Sequence, residues 1–588
     1  MRKLFGIGWV MLLLASCANR GAGPQGGPRD SIPPLPKICV PEQGTLNFSG
    51  KRIEITFDEY IQLDNLAANL LISPPQQNPP EVKARGKKLT IQFQDTLYPN
   101  TTYTIDFGAA ICDYREKVPL KGYSYYFSTG EEIDTLETRG FIYDAQTLNP
   151  LYGITTGIYA NMADSAFERL SFLRIAKTDS AGMFRVKNIH PGKYRIYAVD
   201  DISRDYRLTI GESMAFMDSV ITVQPDTPGV PDSLANDSDT QSTIPLHTLF
   251  LFKETQSKLY FQRALREDQH RIKLLFSATP DSLPLIRPLC DSLNYHVQYS
   301  EKKDTVSVWL TDSMSIKQDS LFFEVRYRKT DSLYRLVWDI DTVRAIWRAP
   351  RLTAKAQEAK ERANRNRRLK LSCNAGKGFE IYDTLAITST TPLLSIADSA
   401  IRLFEKQDTN RIEIPCTIMP YDTLPMTIRI MADLKPEGNY ELLLDSGAIQ
   451  DVYGITHVAA NYSLTLKALT DYSTLRVKVT PFEPLIRIQL LNNKDQVLRE
   501  LSAKEDGALF EYLKPDGYYL RLYFDRNNDQ QWTTGSWAHK RQPEPVYYFP
   551  GKIQTKPNWD FEEEWDYTAV EQTQSKPKEL IKLGGTKK

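Results

Sequence analysis

Leu97-Tyr-Pro-Asn-Thr-Thr-Tyr103 and Leu434-Lys-Pro-Glu-Gly-Asn-Tyr440 share the pattern L-x-P-x3-Y at identical spacing in distant parts of one chain. Proline and small polar residues favour a turn, and a tyrosine straight after it opens a strand. Ile111-Cys-Asp113 closes the first copy, and Ile449-Gln-Asp451 follows the second with one extra residue. Two ordered copies of such a phrase point to one domain type used twice. Around the first copy, "RIEITF" (Arg52 to Phe57) and "KLTIQF" (Lys88 to Phe93) alternate apolar and polar residues, as half-buried strands do.

A second phrase also occurs twice. "DSAGMFRVKNIHPGKYRIYAVDD" (Asp179 to Asp201) and "GALFEYLKPDGYYLRLYFDRNND" (Gly507 to Asp529) each run strand, Pro-containing turn, Tyr-led strand. Pro191 precedes Tyr194 as Pro515 precedes Tyr518, and Asp200 and Asp525 close the strands. The 588 residues leave room for about four or five domains. Abundant Tyr and Phe (31 and 24), with 30 Gly and 35 Pro, favour sandwiches over helical bundles.

The first phrase, with "ITFDEYIQLDN", "ISPP", "LYPNTTYTIDFG" and "YYFSTG", resembles the SbsA-type bacterial Ig-like domain across residues 36–132. The match at 371–468 is weaker, because "FDEY" has no counterpart there. That resemblance implies an Ig-like scaffold that brings no catalytic residues with it. The second phrase resembles the transthyretin-like or carboxypeptidase-regulatory-like sandwich at 133–222 and 469–570. The expected fold is therefore all-β: tandem β-sandwich domains, Ig-like and transthyretin-like, with one short basic helix near 351–370. A polar linker is expected at 223–245, a sandwich of unassigned type at 246–350, and a disordered lysine-rich tail at 571–588.

At the N-terminus, residues 1–16 have a basic start, a short apolar run and small residues, the layout of a secretory signal. The apolar run is too short for a membrane span of about 20 residues. Leu14-Ala15-Ser16-Cys17 resembles a bacterial lipobox, which implies lipidation of Cys17. Residues 17–35 then read as a Gly- and Pro-rich tether, and "GPQGGPRDSIPP" resembles the leader of Bacteroidota lipoproteins. Ala18 and Asn19 follow the cysteine where an aspartate would signal the inner membrane, so the outer membrane is expected, with its surface face favoured. Palmitate is the expected acyl modification.

Charge excludes one partner class. With 73 basic and 73 acidic residues there is no overall field to attract nucleic acid. Cys39, Cys112, Cys290, Cys373 and Cys416 remain beside Cys17, odd in number and without metal spacing. Pairs such as Cys39 with Cys112 stay open in an oxidising compartment.

Nucleophile elbows, zinc motifs and phosphate loops are absent from the sequence, and none of the six histidines sits close to another. No catalytic residues are assigned, and a non-enzymatic protein is expected. "DRNND" places Asp525, Asn527 and Asp529 at alternate positions, as a calcium loop does, but Gln530 replaces the glycine of an EF-hand. A structural calcium or a plain Asx turn would each suit it; no other cofactor is expected. Trp532 and Trp537 are candidates for stacking on a glycan or anchoring a protein, or else for covering a sandwich edge. "RLTAKAQEAKERANRNRRLK" (351–370) carries eight basic and two acidic residues, a connecting helix or a basic face. Asp-Ser/Thr-apolar triplets occur seventeen times, where composition alone gives about two or three. They resemble the O-glycosylation acceptor of exported Bacteroidota proteins; Asp134-Thr135, Asp319-Ser320 and Asp422-Thr423 are candidates, each equally a turn before a strand. Together these features predict a lipid-anchored scaffold or accessory subunit of an envelope protein complex, such as barrel assembly or transport. A glycan-binding or adhesive surface protein is the alternative.

Overall fold

The computed structural model describes residues 30–209, 211–225, 246–254, 258–290, 293–300, 302–331, 335–348, 353, 358, 367–407, 410–420 and 425–583. They are nearly all β and divide into two compact units. One comprises Met1–Glu254, Thr534–Pro543 and Ile581–Lys588; the other comprises Thr255–Thr533 and Glu544–Leu580.

The first unit begins with an Ig-like sandwich. One sheet runs Pro36–Val40, Arg52–Phe57, Lys88–Gln92, Glu81–Arg85; the other runs Leu71–Ser73, Thr102–Asp106, Ser124–Ser128. The alternation in "RIEITF" buries Ile53, Ile55 and Phe57, which share a core with Tyr103, Ile105, Tyr125 and Phe127. In the second unit the same design returns, Leu371–Cys373, Leu385–Ser389, Thr427–Ala432 and Cys416–Pro420 forming one sheet. Its partner sheet runs Lys377–Phe379, Ala460–Leu466, Asn439–Leu444, Ile401–Gln407, Asn410–Ile414.

The repeated L-x-P-x3-Y phrase has a physical cause. Tyr103 and Tyr440 are buried, and each hydroxyl accepts the N–H five residues upstream, from Tyr98 and Lys435, both at 2.7 Å. A phenol ring too large to leave the core thus pins the turn before its own strand. Asp113 and Asp451 act alike at the other end. Asp113 accepts N–H groups of Arg115, Glu116 and Val118; Asp451 accepts those of Tyr453 and Ile455. Both are buried, so the backbone bonds replace lost hydration.

The second repeated phrase encodes another tyrosine device. Tyr194 donates to the His190 carbonyl at 2.7 Å and Tyr518 to the Lys514 carbonyl at 2.9 Å. Each of the two sandwiches has its own ladder of the same pattern. Leu136–Asp144 pairs antiparallel with Met183–Ile189 and parallel with Leu246–Lys253; Ser473–Thr480 pairs antiparallel with Ala508–Leu513 and parallel with Asp560–Asp566.

That ladder corrects a boundary. Leu246–Lys253, expected to open the middle domain of 246–350, is the last strand of the second sandwich and buries Leu249, Leu251 and Phe252 there. An aromatic strand shows its periodicity in sequence but not its partner. The middle sandwich therefore starts later, with the sheet Phe261–Arg266, Arg271–Phe276, Thr305–Leu310, Tyr295–Tyr299 and the sheet Leu285–Pro288, Ser320–Thr330, Leu336–Ile346. Its core side chains Ile272, Leu274, Val306, Phe323 and Val325 are fully buried, as are Val308, Leu310, Tyr327 and Ala345.

The tail also departs from expectation. Gln572–Gln574 and Lys578–Leu580 form 3-10 turns, Leu580 is buried, and Lys576 Nζ lies 2.7 Å from Asp495 Oδ2 with both side chains almost wholly enclosed. Composition counted Lys576 as solvated; a buried carboxylate makes it part of the fold. The basic helix of 351–370 falls mostly outside the described residues, and 367–370 are irregular with Leu369 buried. The linker is described only to residue 225, and the signal of 1–16 lies outside the described residues, as does Cys17. The five described cysteines are free thiols, Cys39 lying 3.7 Å from the Tyr123 hydroxyl, so the Cys39–Cys112 pairing is not formed.

Candidate functional site

Trp537, a candidate for a recognition surface or for covering a sandwich edge, is 7% exposed. Its ring meets those of Phe167, Tyr197 and Phe216 edge-on, with centroids 5.4, 5.6 and 5.3 Å away. The indole N–H donates to Glu168 Oε1 at 2.7 Å. Bonds on either side fix the same segment. Thr534 Oγ1 donates to the Lys253 carbonyl at 3.0 Å, Ser536 Oγ to Glu254 Oε1 at 2.6 Å, and Gln542 Nε2 to the Phe216 carbonyl at 3.0 Å. A Cβ on Gly535 would stand 2.6 Å from the Phe252 ring, so glycine alone allows this approach. Thr534–Pro543 is thus an anchored strap within the first unit, and Trp537 has no free face to offer a ligand. Trp532 is half-buried and donates to the Glu544 carbonyl at 2.9 Å.

The candidate calcium loop is shaped by its own backbone. Asp525 Oδ1 accepts the Asp529 N–H at 3.0 Å and Oδ2 that of Gln530 at 2.9 Å, while Asp529 Oδ1 accepts that of Gln531 at 2.8 Å. Asn527 Nδ2 bonds Asp529 Oδ2 at 2.9 Å. Buried Glu544 accepts the N–H groups of Arg526 and Thr533, both at 2.8 Å. Burial pushes its carboxyl above the ordinary value; those two bonds pull down, and Asp525 and Asp529 push up. Among the described residues no three His, Cys, Asp or Glu side chains are placed to share a metal ion.

The counterpart of this loop lies one residue beyond the strand-closing Asp200. Asp201, not Asp200, matches Asp525: it accepts the N–H groups of Asp205 and Tyr206, four and five residues on. Glu212, also buried, accepts those of Ile202, Ser203 and Thr209, as Glu544 does in its own loop. The offset that places Pro191 on Pro515 and Tyr194 on Tyr518 also places Asp201 on Asp525, and the bonds agree with it.

A concave surface that the sequence did not suggest lies on the first sandwich. A groove of about 690 Å³ runs between Ile61–Leu63 and the edge strand Glu81–Arg85, flanked by Tyr60 and Tyr114. Both tyrosines are strongly exposed, 62% and 66%. The volume is in the range of ligand clefts, about 300–1,000 Å³. The signal was faint: each tyrosine follows a strand-ending acidic turn, in "FDEY" and "CDY", where the core needs no aromatic ring.

The glycosylation candidates divide. Asp134 is held by Arg174 at 3.3 Å and His190 at 3.0 Å beside exposed Thr135. Asp319 is exposed just before Ser320–Thr330, and Asp422 and Thr423 lie outside the described residues. No helix among the described residues is long and apolar enough to cross a membrane.

Comparison with known proteins agrees on the first domain. Residues 30–129 match the bacterial Ig-like domain model. No curated protein matches the chain. Among solved structures, the N-terminal part of the bacterial S-layer protein SbsC shares 9% identity with a TM-score of 0.16, over 29% of this chain and 44% of that one. A longer SbsC structure gives 9% and 0.15 over 72% and 66%. BcpA, the major pilin subunit of Bacillus cereus, gives 7% and 0.12 over 73% and 98%. The chain thus spans less than half of the first SbsC structure and about two thirds of the second. It is a multidomain β-protein whose first described domain matches the bacterial Ig-like domain.

Proposed function

We propose that this protein is a non-enzymatic, lipid-anchored outer-membrane scaffold, an accessory subunit of an envelope protein complex. The observation that carries the reading is the use made of the chain's most chemistry-like residues. Trp537 anchors a strap, and Asp525, Asp529 and Glu544 tie down a loop, so both sets serve rigidity. Rigid tandem sandwiches suit holding a partner in place, and acylation at Cys17 would fix them to the membrane by lipid. Barrel assembly and transport are complexes of the appropriate compartment.

Extraction in mild detergent followed by affinity capture tests the scaffold. A stoichiometric envelope protein is expected, and capture of the bait alone would sink the reading. Cys17→Ala should abolish incorporation of a fatty-acid analogue, and equal labelling of the variant would end the anchor argument. The groove between Tyr60 and Tyr114 supports a second reading, glycan binding, because two exposed rings flank an open cleft. Retention on glycan arrays that Tyr60→Ala and Tyr114→Ala abolish would favour it.

A further inference from the structure

The middle sandwich carries one sheet face that its own core does not need. Ser320–Thr330 and Leu336–Ile346 form a long hairpin with Leu285–Pro288 on its far side. Inward residues Leu321, Phe323, Val325, Val343 and Ala345 fill the core. Their outward neighbours ought to be polar on a solvated antiparallel sheet. Several are not: Phe322, Trp338, Ile340, Ile346 and Leu285 are 44%, 54%, 52%, 46% and 59% exposed.

The register shows what lies between them. Arg344 stands opposite Phe322, Arg326 opposite both Ile340 and Leu285, Arg328 opposite Trp338, and Arg287 opposite Glu324. Arg344 lies over the Phe322 ring at 5.6 Å and Arg326 over the Trp338 ring at 5.1 Å. Arg328 is ion-paired to Asp281 at 2.6 Å, whereas Arg287, Arg326 and Arg344 make no ion pair with a carboxylate among the described residues. Four guanidinium groups on this face thus meet two carboxylates, Glu324 opposite Arg287 and Asp281 paired to Arg328, which leaves an excess of positive charge. Stacking holds two of the guanidinium planes in place with donors still free. Leu336–Ile346 is also a sheet edge, with no strand paired to its outer side among the described residues.

We infer that this face is a protein-docking surface, and that its partner presents carboxylates beside apolar side chains. Charge complementarity selects the occupant: unpaired, pre-oriented arginines bind carboxylates bidentately, and the aliphatic and aromatic side chains between them supply the apolar contact of an interface core. A glycan fits less well, because Ile340, Ile346 and Leu285 offer no flat ring to a sugar, and the rings of Phe322 and Trp338 each carry a stacked arginine. A second copy fits poorly, since two arginine-rich faces repel. The inference rests on the scaffold reading and names the surface that reading requires.

A photo-reactive benzoylphenylalanine at position 340 of the full chain, irradiated in the native envelope, tests it. One adduct peptide carrying at least two Asp or Glu near the crosslink is expected. Arg326→Glu with Arg344→Glu should cut the yield at least tenfold, with an unchanged melt, and changing the partner's carboxylates to lysine should restore it. For the wild-type chain, raising salt to about 0.5 M should lower the yield several-fold, which keeps the idea testable if the double variant fails to fold. An adduct to a glycan, a lipid or a second copy overturns the proposal. So does a peptide without carboxylates, or a yield indifferent to charge and salt. No adduct at position 340 from a chain that still captures an envelope protein sinks this surface alone; no captured protein at all sinks the scaffold with it.

Discussion

The second and last sandwiches are two copies of one design that differ at one place. Both hold the loop after the Tyr-led strand with an aspartate and a buried glutamate, Asp201 with Glu212 and Asp525 with Glu544. In the second sandwich Glu212 reaches a threonine N–H three residues before it; in the last, Glu544 reaches one eleven residues before it. The added length contains Ser536, Trp537 and Lys540, the centre of the strap packed within the first unit. A clamp of two carboxylates closes the loop at its base and leaves its contents free to vary. The same loop can therefore be bare in one copy and carry an aromatic anchor in the other.

The comparison breaks most sharply at the anchor. Trp537→Ala should destabilise the first unit by about 3–5 kcal/mol, as truncation of a buried tryptophan does. The second unit should be unaffected, which domain-resolved hydrogen exchange would show. An unchanged first unit would mean that the strap is not part of its fold.

The clamp should matter equally in both copies. Glu212→Ala and Glu544→Ala each remove a buried carboxylate that holds several loop N–H groups, so each should cost about 1–3 kcal/mol in denaturant unfolding. A large loss at Glu544 with none at Glu212 would show that the two loops are not equivalent.

A pH test separates clamps from ion pairs. Burial alone would raise the Glu380 carboxyl, but Lys467 at 2.7 Å, Lys514 at 2.8 Å and the Tyr472 hydroxyl at 2.7 Å bring it down to about 2. A depressed folded value means the stabilisation is complete above the unfolded carboxyl value, near 4.5, and is lost as pH falls towards 2. Glu380→Gln should remove about 1–2 kcal/mol at neutral pH, allowing for solvent around the lysines, and flatten that acid limb. An acid limb unchanged by the substitution would overturn the assignment. Glu544, whose value is raised, has the opposite sign: its ionisation as pH climbs above the ordinary glutamate value weakens the last sandwich.

The smallest effect is expected at the tyrosine turns. Tyr194→Phe and Tyr518→Phe delete one hydroxyl bond each and keep the ring, so each should cost about 1 kcal/mol in melting experiments. Unequal costs would show that one copy has come to depend on its turn more than the other.

The domain repeats were legible because local chemistry dictates them. A tyrosine that must bury its ring and satisfy its hydroxyl needs a partner a few residues upstream, so spacing records the bond. Alternation in "RIEITF" similarly records which side of a strand faces the core. Long-range pairing leaves no such record. Leu246–Lys253 has the pattern of any strand, and only its parallel ladder with Leu136–Asp144 assigns it to the second sandwich. Trp537 among polar neighbours looks like a recognition residue until Phe167, Tyr197 and Phe216 enclose it, and Lys576 looks solvated until Asp495 faces it. The sequence by itself determined the β architecture, its repeats and their turns, because these depend on neighbours within a few residues. Only the tertiary structure decided which strand completes which sheet and which aromatic or charged side chains remain exposed, because burial depends on partners that the chain brings together from far away.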